Sequence, residues 1–490
     1  MRPNMLRGIR IRASVVQAIL LVVIGEFLRL LIQALPFELI DKIAISWIYI
    51  IVGYVFIITN CVRQKRIINA YFMIVILSVF FYYGQHILAI IDQRYLFTQQ
   101  NYHILDGRIS DASIIHATFL AMECLLMMYA GFECITKNEN IDLEVTDNYQ
   151  LDESKMYSLR VASWVLLAIS IIPTIQYLMA QFSLTQVYGY LGRRNLETET
   201  NYYQILGVGT TTIYISGLFL PSLYGLLIGY KDHKHKGFIY ALAAGYCVLY
   251  YLTGSRFMIL KLLITVFLIQ AIWIKPFTKK DIKTYLLIAF VMAIVFSLGN
   301  ILRSIGNTSD ATVKSAIDEL NLGGMLWEPG IAFTTISNII ENCPSRVDFF
   351  YGKSVLGAVL QCLPSFLRFG FFEENSLQVS ATFSHLYYNT TLFGYGSSFI
   401  AEAYYNFGYL IHIFMLIYGM LLKRIDISLY VSKARQSPYT FLLLSTLCGS
   451  LVFGVRNDLS AIPRDLLLTA VIVVVFAIVI RSLLNAKKVK

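Results

Sequence analysis

Apolar runs of about 20 residues recur along nearly the whole chain, and they decide most of what it can fold into. Such a run can cross a bilayer as a helix, because every backbone N–H and C=O then finds its partner within the segment. The runs lie at 13–35, 43–59, 68–91, 113–135, 157–182, 205–230, 237–252, 257–274, 284–302, 407–422, 439–453 and 466–484. They predict an all-α polytopic membrane protein with about 12 transmembrane helices. Composition agrees: 57% of the 490 residues are hydrophobic, 14% are charged and the mean hydropathy is +0.63. No ordinary soluble domain of this length carries that balance. The first run follows Arg2, Arg7, Arg10 and Arg12, as in a signal peptide, but it is too long and lacks a small-residue cleavage site. It reads as an uncleaved first span.

The net charge of +10 sits in short clusters at the ends of the apolar runs, not in one stripe, so it marks topology and not a nucleic-acid partner. One set of loops holds the N-terminal arginines, Arg63/Lys65/Arg66, Lys137/Lys155, Lys231/Lys234/Lys236, Lys275/Lys279/Lys280/Lys283, Lys423/Arg424/Lys433/Arg435 and Lys487/Lys488/Lys490. Lys/Arg bias makes that set cytoplasmic and puts both termini there. The other set faces outward: 92–111, 183–204, the turn at 253–256, 303–395 and 454–463. The long segment is expected to carry short helices packed on the membrane surface. Three regions result: helices 1–9 over 1–302, the large outer loop over 303–395, and an interfacial helix with the last three spans over 396–490. The seven cysteines show no metal-binding spacing. Cys343 and Cys362 could meet in an oxidising compartment, but two free thiols is the preferred reading.

Arg193, Arg194, Arg256, Arg303, Arg346, Arg368 and Arg456 all fall at or beyond the outer ends of helices. Positive-inside bias should deplete that side. Guanidinium groups stay charged and grip phosphate oxygens through paired donors, so the set points to a lipid headgroup or diphosphate ligand. The alternative is a solvated loop arginine, about as good for any single one. Function is favoured for Arg256 and Arg456, which lie in turns between adjacent spans. Thr253-Gly254-Ser255-Arg256 would fix its arginine at the boundary, with Gly254 permitting the reversal. The stretch 394–408, GYGSSFIAEAYYNFG, opens a small-residue helix with glycines, carries one carboxylate at Glu402 and breaks at Asn-Phe-Gly. Glu402 could serve as a general base, bind sugar hydroxyls or pair with an arginine. Within the spans, Glu26 and Arg29 are placed to pair on one helix face as a structural ion pair, while His86, Glu123 and Lys261 remain open.

These segments together resemble one family, the O-antigen and capsular repeat-unit polymerases called Wzy. The resemblance rests on 394–408, Gly254-Ser255-Arg256, Arg456-Asn457-Asp458, and a layout of about 12 spans with one large late outer loop. It implies a fold similar to that of the O-antigen ligases, a GT-C-like glycosyltransferase. It also implies metal-independent transfer at the periplasmic face of the bacterial inner membrane, without a cofactor, between undecaprenyl-diphosphate-linked oligosaccharides as donor and acceptor. Some members carry Arg, ten residues and Gly in two periplasmic loops; Arg346 to Gly357 fits, whereas Arg193 and Arg194 in the earlier loop lack the glycine.

On this reading Arg256, Arg303 and Arg456 bind the diphosphates and stabilise the leaving group, with Arg193, Arg194, Arg346 and Arg368 as further binding candidates, and Glu402 orients or deprotonates the acceptor. A Wzz-like chain-length regulator and a Wzx-like flippase are the implied partners besides membrane lipids. The absence of a nucleotide-binding motif agrees with a lipid-diphosphate donor. An O-antigen ligase shares donor and face, while a transporter or flippase would be expected to line a midplane cavity with charge.

Overall fold

The computed structural model describes residues 12–63, 67–91, 107–134, 152–196, 205–231, 236–275, 278, 281, 283, 322–360, 362, 379–388, 396–459, 462–463 and 466–488. Among them every regular element is helical. In chain order these are α1 (Ala13–Ala34), α2 (Leu39–Arg63), α3 (Ala70–Ile91), α4 (Asp111–Cys134), α5 (Glu153–Leu196), α6 (Thr210–Ser216), α7 (Phe219–Gly229), α8 (Lys236–Leu252) and α9 (Phe257–Leu268), which a π-helical turn extends over Ile269–Ile274. There follow α10 (Leu322–Asn342), α11 (Lys353–Leu360), α12 (Val379–Tyr388), α13 (Phe399–Phe407), α14 (Ile411–Ala434), α15 (Pro438–Phe453) and α16 (Val471–Lys488).

Among the described residues, seven candidate spans are long and apolar enough to cross a membrane: Ala13–Ala34, Leu39–Arg63, Ala70–Ile91, Asp111–Cys134, Glu153–Tyr188, Thr210–Gly229 and Leu466–Ala486. Lys236–Leu252, Met258–Ile274 and Pro438–Phe453 are shorter apolar helices, and α14 is long but charged towards its end. The expected span at 284–302 lies outside the described residues. Outward stripes identify the lipid-facing elements. On α1, Val16, Leu20, Val23, Phe27 and Leu30 recur at helical spacing and are all exposed. By contrast α4 is buried along nearly its whole length, with α1, α2, α3, α10 and α14 packed around it. A second group brings α5 against α7 and α16, and α9 against α15.

The contact between α4 and α14 in the first group needs two glycines. A Cβ on Gly131 of α4 would enter the backbone of α14 at Leu416, and one on Gly419 of α14 would enter that of α4 at Met128. Small residues let backbones meet where lipid supplies no hydrophobic drive. Gly419→Val should therefore cost about 1–3 kcal/mol or more through overpacking. Its expected signature is a lower thermal unfolding midpoint for the purified protein in detergent; an unchanged midpoint would contradict the packing assigned to this pair.

Three sequence expectations change. The segment after 182, expected as outer loop, continues α5 to Leu196, giving 44 residues with Pro173 inside. At 1.5 Å per residue that is about 66 Å, more than a bilayer's hydrocarbon core of about 30 Å, so the helix carries Arg193 past the span. The run 407–422 begins with a break at Gly408 and continues as α14 to Ala434. Within the large loop, α10 is no surface helix: residues 330–340 are all buried. Its Gly330 and the facing Gly84 of α3 meet the opposite backbone so closely that neither could take a Cβ without a shift. Thr334, Thr335, Ser337 and Asn338 kept its hydropathy low, which burial against protein tolerates and lipid would not. The short helices α11 and α12 do occur in that region.

Chain ends with like Lys/Arg marks gather at one end of the bundle. Arg12 pairs with Glu133 at the end of α4. Arg481 binds Asp152 at 2.9 Å, Tyr430 reaches the carbonyl of Ile68 at 3.0 Å, and Ser158 meets Tyr439. The seven cysteines are free thiols.

Candidate active site

The opposite end collects most of the described motif residues. α13 starts where Ser398, in extended backbone, caps the helix by accepting from the amide of Ala401 at 3.1 Å. It stops at Gly408, whose φ of +52° is left-handed and whose Cα lies against the Phe349 ring, so no side chain fits there. Within that one short helix Glu402 is buried. Its Oε1 accepts from Ser354 Oγ of α11 at 2.6 Å, and its Oε2 accepts from the backbone N–H of Leu459. Asn406 extends the network, donating to Ser354 Oγ at 2.7 Å and accepting from the amide of Gly352 at 3.0 Å. Two further backbone bonds, Phe350 N to Tyr405 O at 2.8 Å and Phe399 N to Gly454 O at 2.9 Å, fasten both ends of α13. The carboxylate of Glu402 thus ties α13 to α11 and to the turn that follows α15.

That turn carries Arg456 and Asp458, both buried. Gly396 lies directly under the Arg456 guanidinium: with φ +90°, its place for a Cβ is already filled by that group. Asp458 accepts from Ser380 Oγ of α12 at 3.3 Å through Oδ2, with the Ser397 hydroxyl and the Arg456 charge beside it. Its Oδ1 is buried and accepts no hydrogen bond among the described residues. Burial pushes the Asp458 carboxyl above the ordinary aspartate range despite Ser397, Ser380 and Arg456, which act in the opposite direction.

The second arginine group forms where α5 outlasts its span. Arg193 is wholly buried and donates to Gln181 Oε1 at 3.2 Å and to Ser255 Oγ at 3.1 Å. Thr185 donates to the carbonyl of Thr253 at 3.2 Å, so α5 holds the Thr253–Arg256 turn from both sides. Gly254 makes the reversal with φ +76°, and buried Arg256 stands at the N-terminus of α9. The two groups share one end of the bundle because α9 and α15 pack antiparallel: Gly449 lies against Thr265, with a Cβ built on it 3.7 Å from the Lys261 carbonyl, while Phe441 meets Trp273. The chain rises from Thr265 back to Arg256 on one helix and from Gly449 on to Arg456 beyond the other.

Thus Arg193 joins the Arg256 turn, and Glu402 joins the Arg456 turn. Arg346 is exposed after α10, donating to Asn342 Oδ1 at 3.3 Å. Arg303, Arg368 and the Arg194 side chain lie outside the described residues, as do Gly394 and Tyr395. His86 hydrogen-bonds Thr118 at 2.9 Å, and Glu26 does pair with Arg29. Sequence reasoning passed over Ser354, Ser380 and Gln181, because single hydroxyls and amides in separate segments carry no spacing signal.

An all-helical bundle with apolar outward stripes, and with buried arginines and carboxylates fixed in turns at one end, defines a multi-pass membrane protein with a polar site at that end. The family model described as O-antigen polysaccharide polymerase Wzy matches residues 14–489, and the chain belongs to that family. No curated protein and no solved structure matches it.

Proposed function

We propose that the protein joins undecaprenyl-diphosphate-linked oligosaccharide repeats into O-antigen or capsular polysaccharide at the periplasmic face of the bacterial inner membrane, with both termini cytoplasmic. In a chain of this family, the observation that carries the reading is the Arg456 turn: a buried guanidinium over Gly396, with the carboxylate of Asp458 beside it. The Lys/Arg bias supports the face.

In the reaction, the acceptor hydroxyl oxygen bonds to the anomeric carbon of the growing glycan. The bond from that carbon to the donor diphosphate breaks, the electron pair leaves with the lipid diphosphate, and the acceptor proton passes to a carboxylate. Arg456, Arg256 and Arg303 neutralise the charge that develops on the leaving group, with no metal required for that step. Arg193 is held by Ser255 to serve the same ligand, and Arg194, Arg346 and Arg368 meet phosphate groups at the rim. Glu402, with each oxygen engaged by Ser354 or Leu459, orients the acceptor side through the turn it holds. Asp458, whose Oδ1 has no hydrogen-bond partner among the described residues, is the group assigned to take the proton. A Wzx-like flippase would deliver the substrates and a Wzz-like regulator would set chain length.

The test is reconstitution of the purified full chain in nanodiscs with two lipid-linked repeats. A longer glycan and one equivalent of free lipid diphosphate per added repeat are expected. If neither forms, the enzymatic reading fails; if glycan passes only to lipid A core, the chain is a ligase.

A further inference from the structure

A second polar cluster lies in the first helical group, with Glu123 buried and Glu26 and His412 partly exposed, away from the arginine turns. One ligand atom each from Glu26 of α1, Glu123 of α4 and His412 of α14 fall within 4.8 Å of one another. His412 Nε2 is 3.1 Å from Glu123 Oε2. Arg29 occupies Glu26 Oε2 through Nε at 2.7 Å and Nη2 at 2.6 Å, which leaves Oε1 of that carboxylate for another partner.

Two ion pairs, Glu26 with Arg29 and Glu123 with His412, would be the simplest account. They leave something over. Glu123 is wholly buried, yet among the described residues its Oε1 accepts no hydrogen bond, and the neighbouring Tyr49 hydroxyl is also buried without one. Both atoms lie beside Gly25, the residue next to Glu26: a Cβ there would stand 3.0 Å from Glu123 Oε1 and in collision with Tyr49. Leaving a buried polar atom unsatisfied costs about 1–3 kcal/mol, more for a charged group, and a membrane interior offers no water in compensation.

We propose that Glu26, Glu123 and His412 bind one divalent transition-metal ion of the Zn²⁺ or Mn²⁺ kind. One imidazole nitrogen with carboxylate oxygens suits those ions, whereas Mg²⁺ and Ca²⁺ favour oxygen alone. The ligands come from three helices, and His412 follows the Gly408 break by one helical turn. The ion therefore ties α1 and α4 to the start of α14, directly behind α13, where Tyr404 stacks edge-on with His116 of α4. It is a structural ion, separate from the sugar-transfer chemistry proposed above and independent of it.

The experiment uses the full chain in detergent, stripped with a chelator and titrated calorimetrically with ZnCl₂ and, separately, MnCl₂, with thermal unfolding followed in parallel. One equivalent should bind and raise the unfolding midpoint. Glu123→Gln and His412→Gln should weaken binding by about 10–100-fold or more while leaving the metal-free midpoint near that of the parent. Should Glu123→Gln fail to fold, His412→Gln and Glu26→Gln carry the test. Absence of binding, or binding of equal strength in the variants that fold, would overturn the site and leave the two ion pairs as the whole account.

Discussion

Gly396→Ala should abolish glycan extension as thoroughly as Arg456→Ala, although it removes no charge and no hydrogen-bonding group. Alanine is strained at φ +90°, and its Cβ would occupy the space of the Arg456 guanidinium, so either the backbone or the arginine must move. Displacing a preorganised cation from a developing negative charge costs roughly 10²–10³-fold in rate. Arg456→Lys should fall nearly as far, because an ammonium on a flexible stem cannot reproduce the planar fork. The readout is the surface glycan ladder in a strain lacking its own polymerase, with the variants' membrane levels matched by immunoblot. Full-length ladders from Gly396→Ala at equal protein level would dissociate Arg456 from the reaction.

Asp458→Asn and Glu402→Gln should separate proton transfer from scaffolding. Removing a general base costs about 10²–10⁴-fold, and that loss is expected for Asp458→Asn with substrate KM little changed. Burial raises the Asp458 carboxyl, so as pH falls the group takes up its proton above the ordinary aspartate range. The acid limb of kcat/KM should accordingly lie above that range in the parent and be missing from the residual rate of Asp458→Asn. Stability runs the other way. A carboxyl whose folded pKa is raised favours the fold while protonated, and that contribution is lost as pH climbs from the unfolded towards the folded value. Asparagine should flatten this dependence. Glu402→Gln should instead lower the unfolding midpoint and reduce the rate by a factor that does not vary with pH, since it loosens the bonds to Ser354 and the Leu459 amide. A pH-dependent defect in Glu402→Gln with a normal profile in Asp458→Asn would exchange the two roles.

Some of the site was legible before any coordinates. The stretch 394–408 announced a small-residue helix with one carboxylate and a break at Asn-Phe-Gly, and α13 carries Glu402 and stops at Gly408; its Ser398 cap was not read. The turn at Gly254 was legible for the same reason: only a few residue types allow a tight reversal, so the local chain betrays it. Glu402 was ambiguous because a carboxylate among apolar residues looks the same whether it is satisfied or poised. The bonds from Ser354 and Leu459 come from segments 48 and 57 positions away, and nothing local encodes them.

Loop alternation alone grouped the arginines scattered from 193 to 456 as a set expected to face outward, and hydropathy along the chain was enough to specify an all-helical, multi-pass protein. Those are one-dimensional properties: each depends on residue types within a window of about 20 positions. Tertiary structure alone decided which residues meet. It lengthened α5 so that Arg193 reaches Ser255, seated the polar helix α10 inside the bundle and placed Gly396 beneath Arg456. The physical reason is common to all three. A helix buried against protein need not be apolar, and a glycine required by a distant side chain carries no mark of that side chain in its own neighbourhood.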